Sequence, residues 1–213
     1  MSSKAQRIGI WIIAVAMILG TVVGFLAMIL SGQNNAKDQS ALQKYQAAAA
    51  EAQKKQEAQA KELSDKYYAT FSQYKDVPAA FDAATVTELS TQDLSVGDGE
   101  EVTANTKLAL YYIGWNPSGK VFDQSIDGTS LKAPFDPTQS ITGFKNGIIG
   151  MKIGGVRELS IPSKDAYGQN GSGADIPPNT PIKFIVMAVP KPADIPQPEI
   201  TQEVLDAIKS QQQ

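Results

Sequence analysis

From Lys37 to Asp76 the chain carries neither glycine nor proline and consists largely of Ala, Gln, Lys and Glu. These side chains lose little freedom in a helix. One uninterrupted helix of about 60 Å follows, at about 1.5 Å per residue. Tyr45, Ala49, Ala52, Gln56, Gln59 and Leu63 recur at a 3-4 spacing, and Tyr67, Phe71 and Tyr74 continue the stripe after a slip. The seam is too poor in large apolar residues for a strong coiled coil. Residues 31–77 therefore read as a helical stalk with at most weak self-association, ended by Pro78 after Val77.

Ahead of the stalk, Ile8 to Leu30 contains no charged residue. As a helix it is about 34 Å long, against a hydrocarbon core of about 30 Å. A cleaved signal peptide is the rival reading, but its apolar region is usually about 7–15 residues and ends at small residues, which "AMILSGQ" does not supply. The expectation is a single-pass anchor over residues 8–30, in contact with the lipid bilayer of the cell membrane. Lys4 and Arg7 in the 1–7 segment favour a cytoplasmic N-terminus, and Lys37 and Lys44 weaken that bias. The remainder of the chain is expected to be extracytoplasmic. Gly20 and Gly24 have the GxxxG spacing that lets two membrane helices approach.

What is missing narrows the chemistry. The chain has no cysteine and no histidine. Disulfides, thiolate nucleophiles and cysteine zinc sites are excluded, and so is a Ser-His-Asp triad. No metal or cofactor is expected. The net charge of -3 gives no reason to expect nucleic acid. "GQNGSG" lacks the Gly-Lys-Ser/Thr of a phosphate loop, and "DQSIDGT" lacks the carboxylate spacing of a calcium loop. Activity is left to carboxylates, tyrosines, backbone amides and pocket shape.

After a connector at 78–85 the texture changes. "TKLALYYIGW" (106–115), "GGVRELSIP" (154–162) and "PIKFIVMAV" (181–189) are rich in β-branched and aromatic residues between turn-forming clusters and read as strands. Ile141, Phe144, Ile148 and Met151 repeat every three or four residues, which predicts one short helix. Strands around a single helix describe an α+β domain, placed at 86–190. The run from Gly168 to Asp175 is permissive in φ and closes on the stiff Pro177-Pro178 pair, a flap with Tyr167 at its lip. A proline-spaced linker at 191–199 leads to a short amphipathic helix at 200–213, its face set by Ile200, Val204, Leu205 and Ile208.

"LSVGDGEEV", "YYIGW", "GKVFDQS", "ITGFKNGIIGMKIGG", "RELSIPSKDAYG" and "IPPNTPIKFIV" stand in the order and spacing of an FKBP-type peptidyl-prolyl isomerase domain, which the chain resembles from about Val86 to Val189. The resemblance implies a bent antiparallel sheet wrapped around the short helix, with a pocket between them. Tyr112, Phe122, Asp123 and Phe135 would line the walls, and Phe144 would form the floor, where the family often has tryptophan. Ile141 would open the helix, and Ile176 and Phe184 would close the back. Tyr112, Asp123 and Tyr167 would carry the chemistry, with the Tyr167 hydroxyl and the Ile141 N–H as donors to substrate. Ser140, also expected to contact substrate, stands where valine is common, and "FDPTQSI" is shorter than usual. The expected function is isomerisation of X-Pro bonds in proline-containing polypeptide clients. The alternative is a catalytically weak binding or chaperone module that uses the same pocket.

Overall fold

The computed structural model describes residues 36–210, which form two compact units. One comprises Gln59–Ala193. The other holds the described residues up to Ala58 and those from Asp194 onward. The anchor expected over residues 8–30, with Gly20 and Gly24, lies outside the described residues; among those described, no helix is long and apolar enough to cross a membrane.

The long run of helix formers yields α1, Ala36–Phe71, which tightens to a 3-10 turn over Ser72–Tyr74 before Pro78 is reached. In the Gln59–Ala193 unit, five antiparallel strands follow: β1 (Ser90–Ser95), β2 (Leu108–Trp115), β3 (Val121–Gln124), β6 (Val156–Ile161) and β7 (Ile182–Pro190). Their order across the sheet is β1-β6-β7-β2-β3. A small hairpin of β4 (Ile126–Asp127) and β5 (Ser130–Leu131) branches off after β3. The short helix α2, Thr142–Gly147, lies between β5 and β6 in the chain.

β2 and β7 pair without interruption from Leu108↔Pro190 to Trp115↔Lys183. Alternation of side chains across the strands divides the core into two layers. On the inner face Leu108, Leu110, Leu159, Ile161, Ile182, Phe184, Val186 and Ala188 pack with Phe144, Ile148 and Met151 of the α2 region. On the outer face Ala109, Tyr111, Ile113, Trp115, Val156, Ile185, Met187 and Val189 pack with Tyr67 and Phe71 of α1. Both faces of β2 and β7 are covered, so their sequences read as unbroken apolar runs rather than alternating ones. β1, by contrast, is an exposed edge strand of polar sequence, STQDLS, and carries no periodic apolar signal of its own.

The C-terminal part of the stalk helix is therefore a structural layer of the domain rather than a free spacer. Phe71 is fully buried and Tyr67 nearly so, and their rings lie 6.0 and 6.1 Å, respectively, from the Tyr111 ring. Ser64 Oγ accepts the Leu131 N–H at 2.8 Å, and the Tyr68 hydroxyl donates to Gly128 O at 3.2 Å, tying α1 to the β4–β5 hairpin. The connector is fastened too: Trp115 Nε1 donates to Ala79 O and Phe81 N to Pro117 O. The slip in the apolar stripe after Leu63 coincides with the residues that meet the sheet.

In the other unit, the stripe is also used internally. Leu42 is buried with Val204 and Ala207 of α3 (Gln202–Ser210), and Ala41, Tyr45 and Ile208 flank them. The face expected for α3 is rotated: Ala207 is at its centre, while Leu205 is exposed and Ile200 precedes the helix.

One polar atom in the outer layer stands out. The Tyr111 hydroxyl is buried with no hydrogen-bond partner, and burial, with Tyr67 nearby, pushes its pKa up to about 12. An unsatisfied buried hydroxyl costs about 1–3 kcal/mol. Tyr111→Phe is thus expected to leave the denaturation midpoint unchanged or raise it. A phenol whose folded pKa exceeds the unfolded value of about 10 loses its stabilising contribution as pH climbs past that point, so the same substitution should reduce the loss of stability between about pH 10 and 12. Phe71→Ala, which empties the centre of the outer layer, should cost about 3–5 kcal/mol in urea denaturation of the full chain.

Candidate functional site

The inner layer ends in a cluster of rings. Phe184 of β7 lies 5.0 Å from Phe144 of α2, 5.6 Å from Phe122 of β3 and 6.2 Å from Tyr112 of β2, centroid to centroid. Phe135 joins from the segment before α2, 5.8 Å from Tyr112 and 5.9 Å from Phe144. The interplanar angles, 70–88°, are those in which the positive edge of one ring meets the negative face of another. Phe135 is placed there by backbone pairing: its N–H and C=O each bond to Leu110 at 2.8 Å. Phe144, Phe184 and Ile176 are buried, whereas Tyr112, Phe122, Phe135, Ile141 and Tyr167 are half-buried on the same core. The apolar and aromatic residues expected around the pocket thus lie against one another.

Polar groups fringe the rings. The Tyr112 hydroxyl donates to Asp123 Oδ2 at 2.6 Å, and Asp123 Oδ1 accepts the Gln124 N–H at 2.8 Å. Both carboxylate oxygens are thus directed by the β2–β3 ribbon. Burial foremost, then the hydrogen bond and charge of Asp123, hold the Tyr112 phenol far above its ordinary pKa. The Tyr167 phenol is raised as well, by burial first and by the Asp123 charge second. Burial, reinforced by this one carboxylate, therefore favours the protonated form of both tyrosines.

Ile141 is the extended residue immediately before α2, φ -64° and ψ 155°, so its N–H stands outside the helical ladder. Ser140, expected by resemblance among the substrate contacts, is half-buried immediately before Ile141. Its hydroxyl donates to Pro137 O at 2.6 Å and closes the 3-10 turn Pro137–Gln139. The shortened "FDPTQSI" stretch is made rigid by that turn, with Asp136 accepting the Thr138 N–H at its start.

The flap is held far more firmly than its composition suggests. Ser172 N donates to Ile176 O at 2.7 Å and Asn179 N to Gly168 O at 2.8 Å. Gly171, at φ +63°, has backbone so close to Ile176 and Pro177 that a Cβ there would collide with both. From across the site, Asn116 Nδ2 donates to Asp175 O at 2.8 Å and Lys120 forms an ion pair with Asp175. Sequence reasoning does not single out Asn116 or Lys120. Their one signal is the turn chemistry of "NPSGK", in which Asn116 Oδ1 accepts from Ser118 and Lys120 backbone N–H groups.

Among the described residues no group of three or more His, Cys, Asp or Glu side chains could hold a metal ion. The site consists of an apolar ring floor, two protonated phenols, one carboxylate and a fastened flap. Such an arrangement suits an apolar ring with hydrogen-bonding groups at its edge, and it contains no thiol or imidazole.

Residues 98–189 match the family model for FKBP-type peptidyl-prolyl cis-trans isomerases. An FK506-binding protein of Neisseria meningitidis serogroup B is 38% identical over 99 residues, covering 46% of this chain and 91% of that protein. FK506-binding protein 4 of Rhizopus delemar is 37% identical over 98 residues, 46% of this chain, and the match spans only 26% of that longer protein. A solved peptidyl-prolyl cis-trans isomerase of Pseudomonas syringae pv. tomato is 29% identical, with 61% of this chain and 91% of that one covered at a TM-score of 0.43. With nine-tenths of the Neisseria protein matched at that identity, across the segment that carries the ring cluster, this chain belongs to the FKBP-type peptidyl-prolyl cis-trans isomerase family.

Proposed function

We propose that the chain accelerates rotation about X-Pro bonds in proline-containing polypeptides at the ring cluster, as a catalyst tethered to the cell membrane by residues 8–30 with its isomerase domain outside the cytoplasm. The observation that supports this most directly is the Tyr112–Asp123 hydrogen bond set at the edge of five packed rings.

Rotation about a peptide bond is opposed by resonance, with a barrier of about 18–20 kcal/mol. X-Pro bonds interconvert in tens to hundreds of seconds. No covalent bond need form or break; the catalyst must bind the twisted amide better than the planar one. Twisting removes resonance, so the carbonyl loses polarity and the nitrogen becomes pyramidal. A dry floor of Phe144 and Phe184 between the Tyr112, Phe122 and Phe135 walls grips the prolyl ring and disfavours the more polar planar amide. The Tyr167 hydroxyl and the Ile141 N–H serve as donors to the substrate backbone. Asp123 orients Tyr112 and supplies a negative field beside the amide carbon. Stabilising the twisted state by about 5 kcal/mol gives a gain of several thousandfold.

A protease-coupled isomerisation assay on the detergent-solubilised full chain tests the reading. Rates indistinguishable from the uncatalysed reaction would leave a binding module. Asp123→Val and Tyr167→Phe should each lower kcat/KM about tenfold or more, equivalent to about 1.4 kcal/mol of transition-state binding. Tyr112→Phe combined with Asp123→Val should cost less than the sum of the single changes, because the two side chains act through one hydrogen bond. Both phenols are held protonated, so activity should show no loss from tyrosine ionisation up to about pH 10, the ordinary tyrosine value. Membrane placement is read separately: in spheroplasts, external protease should cleave the isomerase domain, and protection of that domain would refute the orientation.

A further inference from the structure

The floor residue Phe144 sits on a helix of only 6 residues, far too short to persist without tertiary support. Its backbone lies closest to one strand, while Phe144 packs on Phe184, Tyr112 and Phe135. Arg157, Leu159 and Ile161 alternate along β6 toward the helix. A Cβ on Gly143 would run into Ile161, and one on Gly147 would meet Leu159 at 2.9 Å. The two glycines thus form the face by which α2 lies directly against β6.

The third residue of that row closes the arrangement. Arg157 is 7% exposed. Its Nη1 donates to Gly147 O at 3.0 Å and Ile149 O at 2.9 Å, carbonyls at the end of the helix that the helix itself cannot satisfy. Nε and Nη2 grip Asp93 of β1 at 2.6 and 3.2 Å. A cation at a helix C-terminus is favoured by the helix dipole, and only a planar guanidinium can serve two carbonyls and a bidentate carboxylate at once.

We infer that Arg157 is a positioning residue for isomerisation: through Gly147 and Ile149 it sets the height at which α2 holds Phe144 under the ring cluster, with Asp93 as its fixed anchor. The inference rests on the proposed isomerase reading for its kinetic consequence, but its geometric consequence stands independently. A ligand floor displaced by about 1 Å loses a large factor in rate.

The test compares Arg157→Lys, Arg157→Met and Asp93→Asn in the detergent-solubilised full chain, each also in a Phe144→Trp background. Steady-state kcat and KM on an X-Pro peptide and the thermal midpoint are measured, together with the indole emission that Phe144→Trp adds to that of the parent, all well below every midpoint. Arg157→Lys keeps the charge but not the fork. It should lower kcat about tenfold with a smaller change in KM and shift the added emission to the red; Asp93→Asn should do the same more weakly. If the midpoint falls while kcat, KM and emission of the folded Arg157→Lys and Asp93→Asn variants match the parent, Arg157 is a stabilising residue only and the inference is overturned. Should Arg157→Met fail to fold, the other two variants decide. If the parent itself has no activity, the isomerase reading fails, and the emission shift alone supports or overturns the positioning role.

Discussion

Everything at the site depends on the uninterrupted pairing of β2 with β7. Eight register pairs, Leu108↔Pro190 to Trp115↔Lys183, hold the two most buried strands together. That ladder decides which way each neighbouring side chain points. Tyr111 and Tyr112 are chemically alike and adjacent, yet the pleat sends one outward against Tyr67 and Phe71 and the other inward against Phe184, Phe144 and Phe135. A slip of one residue would exchange the two, turning Tyr112 outward and breaking its hydrogen bond to Asp123.

The two faces of the sheet are consequently not independent. α1 presses on the outer face and is tied through Ser64 and Tyr68 to the β4–β5 hairpin. That hairpin continues directly from β3, which carries Phe122 and Asp123, and Ser125 at the junction exchanges bonds with the Tyr112 backbone: Ser125 N donates to Tyr112 O, and Ser125 Oγ accepts the Tyr112 N–H. A long polar helix that looks like an accessory in the sequence thus backs the strand that positions the hydroxyl–carboxylate pair. The compact unit that holds the 86–190 segment also includes the helix residues from Gln59 onward.

The site's chemistry follows from what this chain lacks as much as from what it has. Without His or Cys there is no imidazole base or thiolate nucleophile, and isomerisation of an amide requires neither. What it requires is a water-poor surface of fixed shape, and rigidity here comes from several modest devices: edge-on ring packing, the Leu110–Phe135 backbone pair, the closed turn at Pro137–Gln139, and the Asn116 and Lys120 links to the flap. Individually each is worth about 1 kcal/mol or less. Together they leave the ring cluster little freedom to shift.

Local pattern was enough to reveal the long helix, the three apolar strands, the short helix and, by resemblance, the five residues of the ring cluster, because helix propensity, periodicity and motif order are properties of consecutive residues. Edge strand β1 escaped pattern reading because only one side of it is paired and its residues are exposed. The burial of Phe71, the rotation of α3 onto Ala207 and the Arg157 link to Asp93 are contacts that the tertiary structure alone decided. Their partners are distant in sequence or compete with equally plausible alternatives, and no local rule says which will meet once the sheet has chosen its register. A chain's order of residues announces which faces want cover, whereas folding determines what covers them.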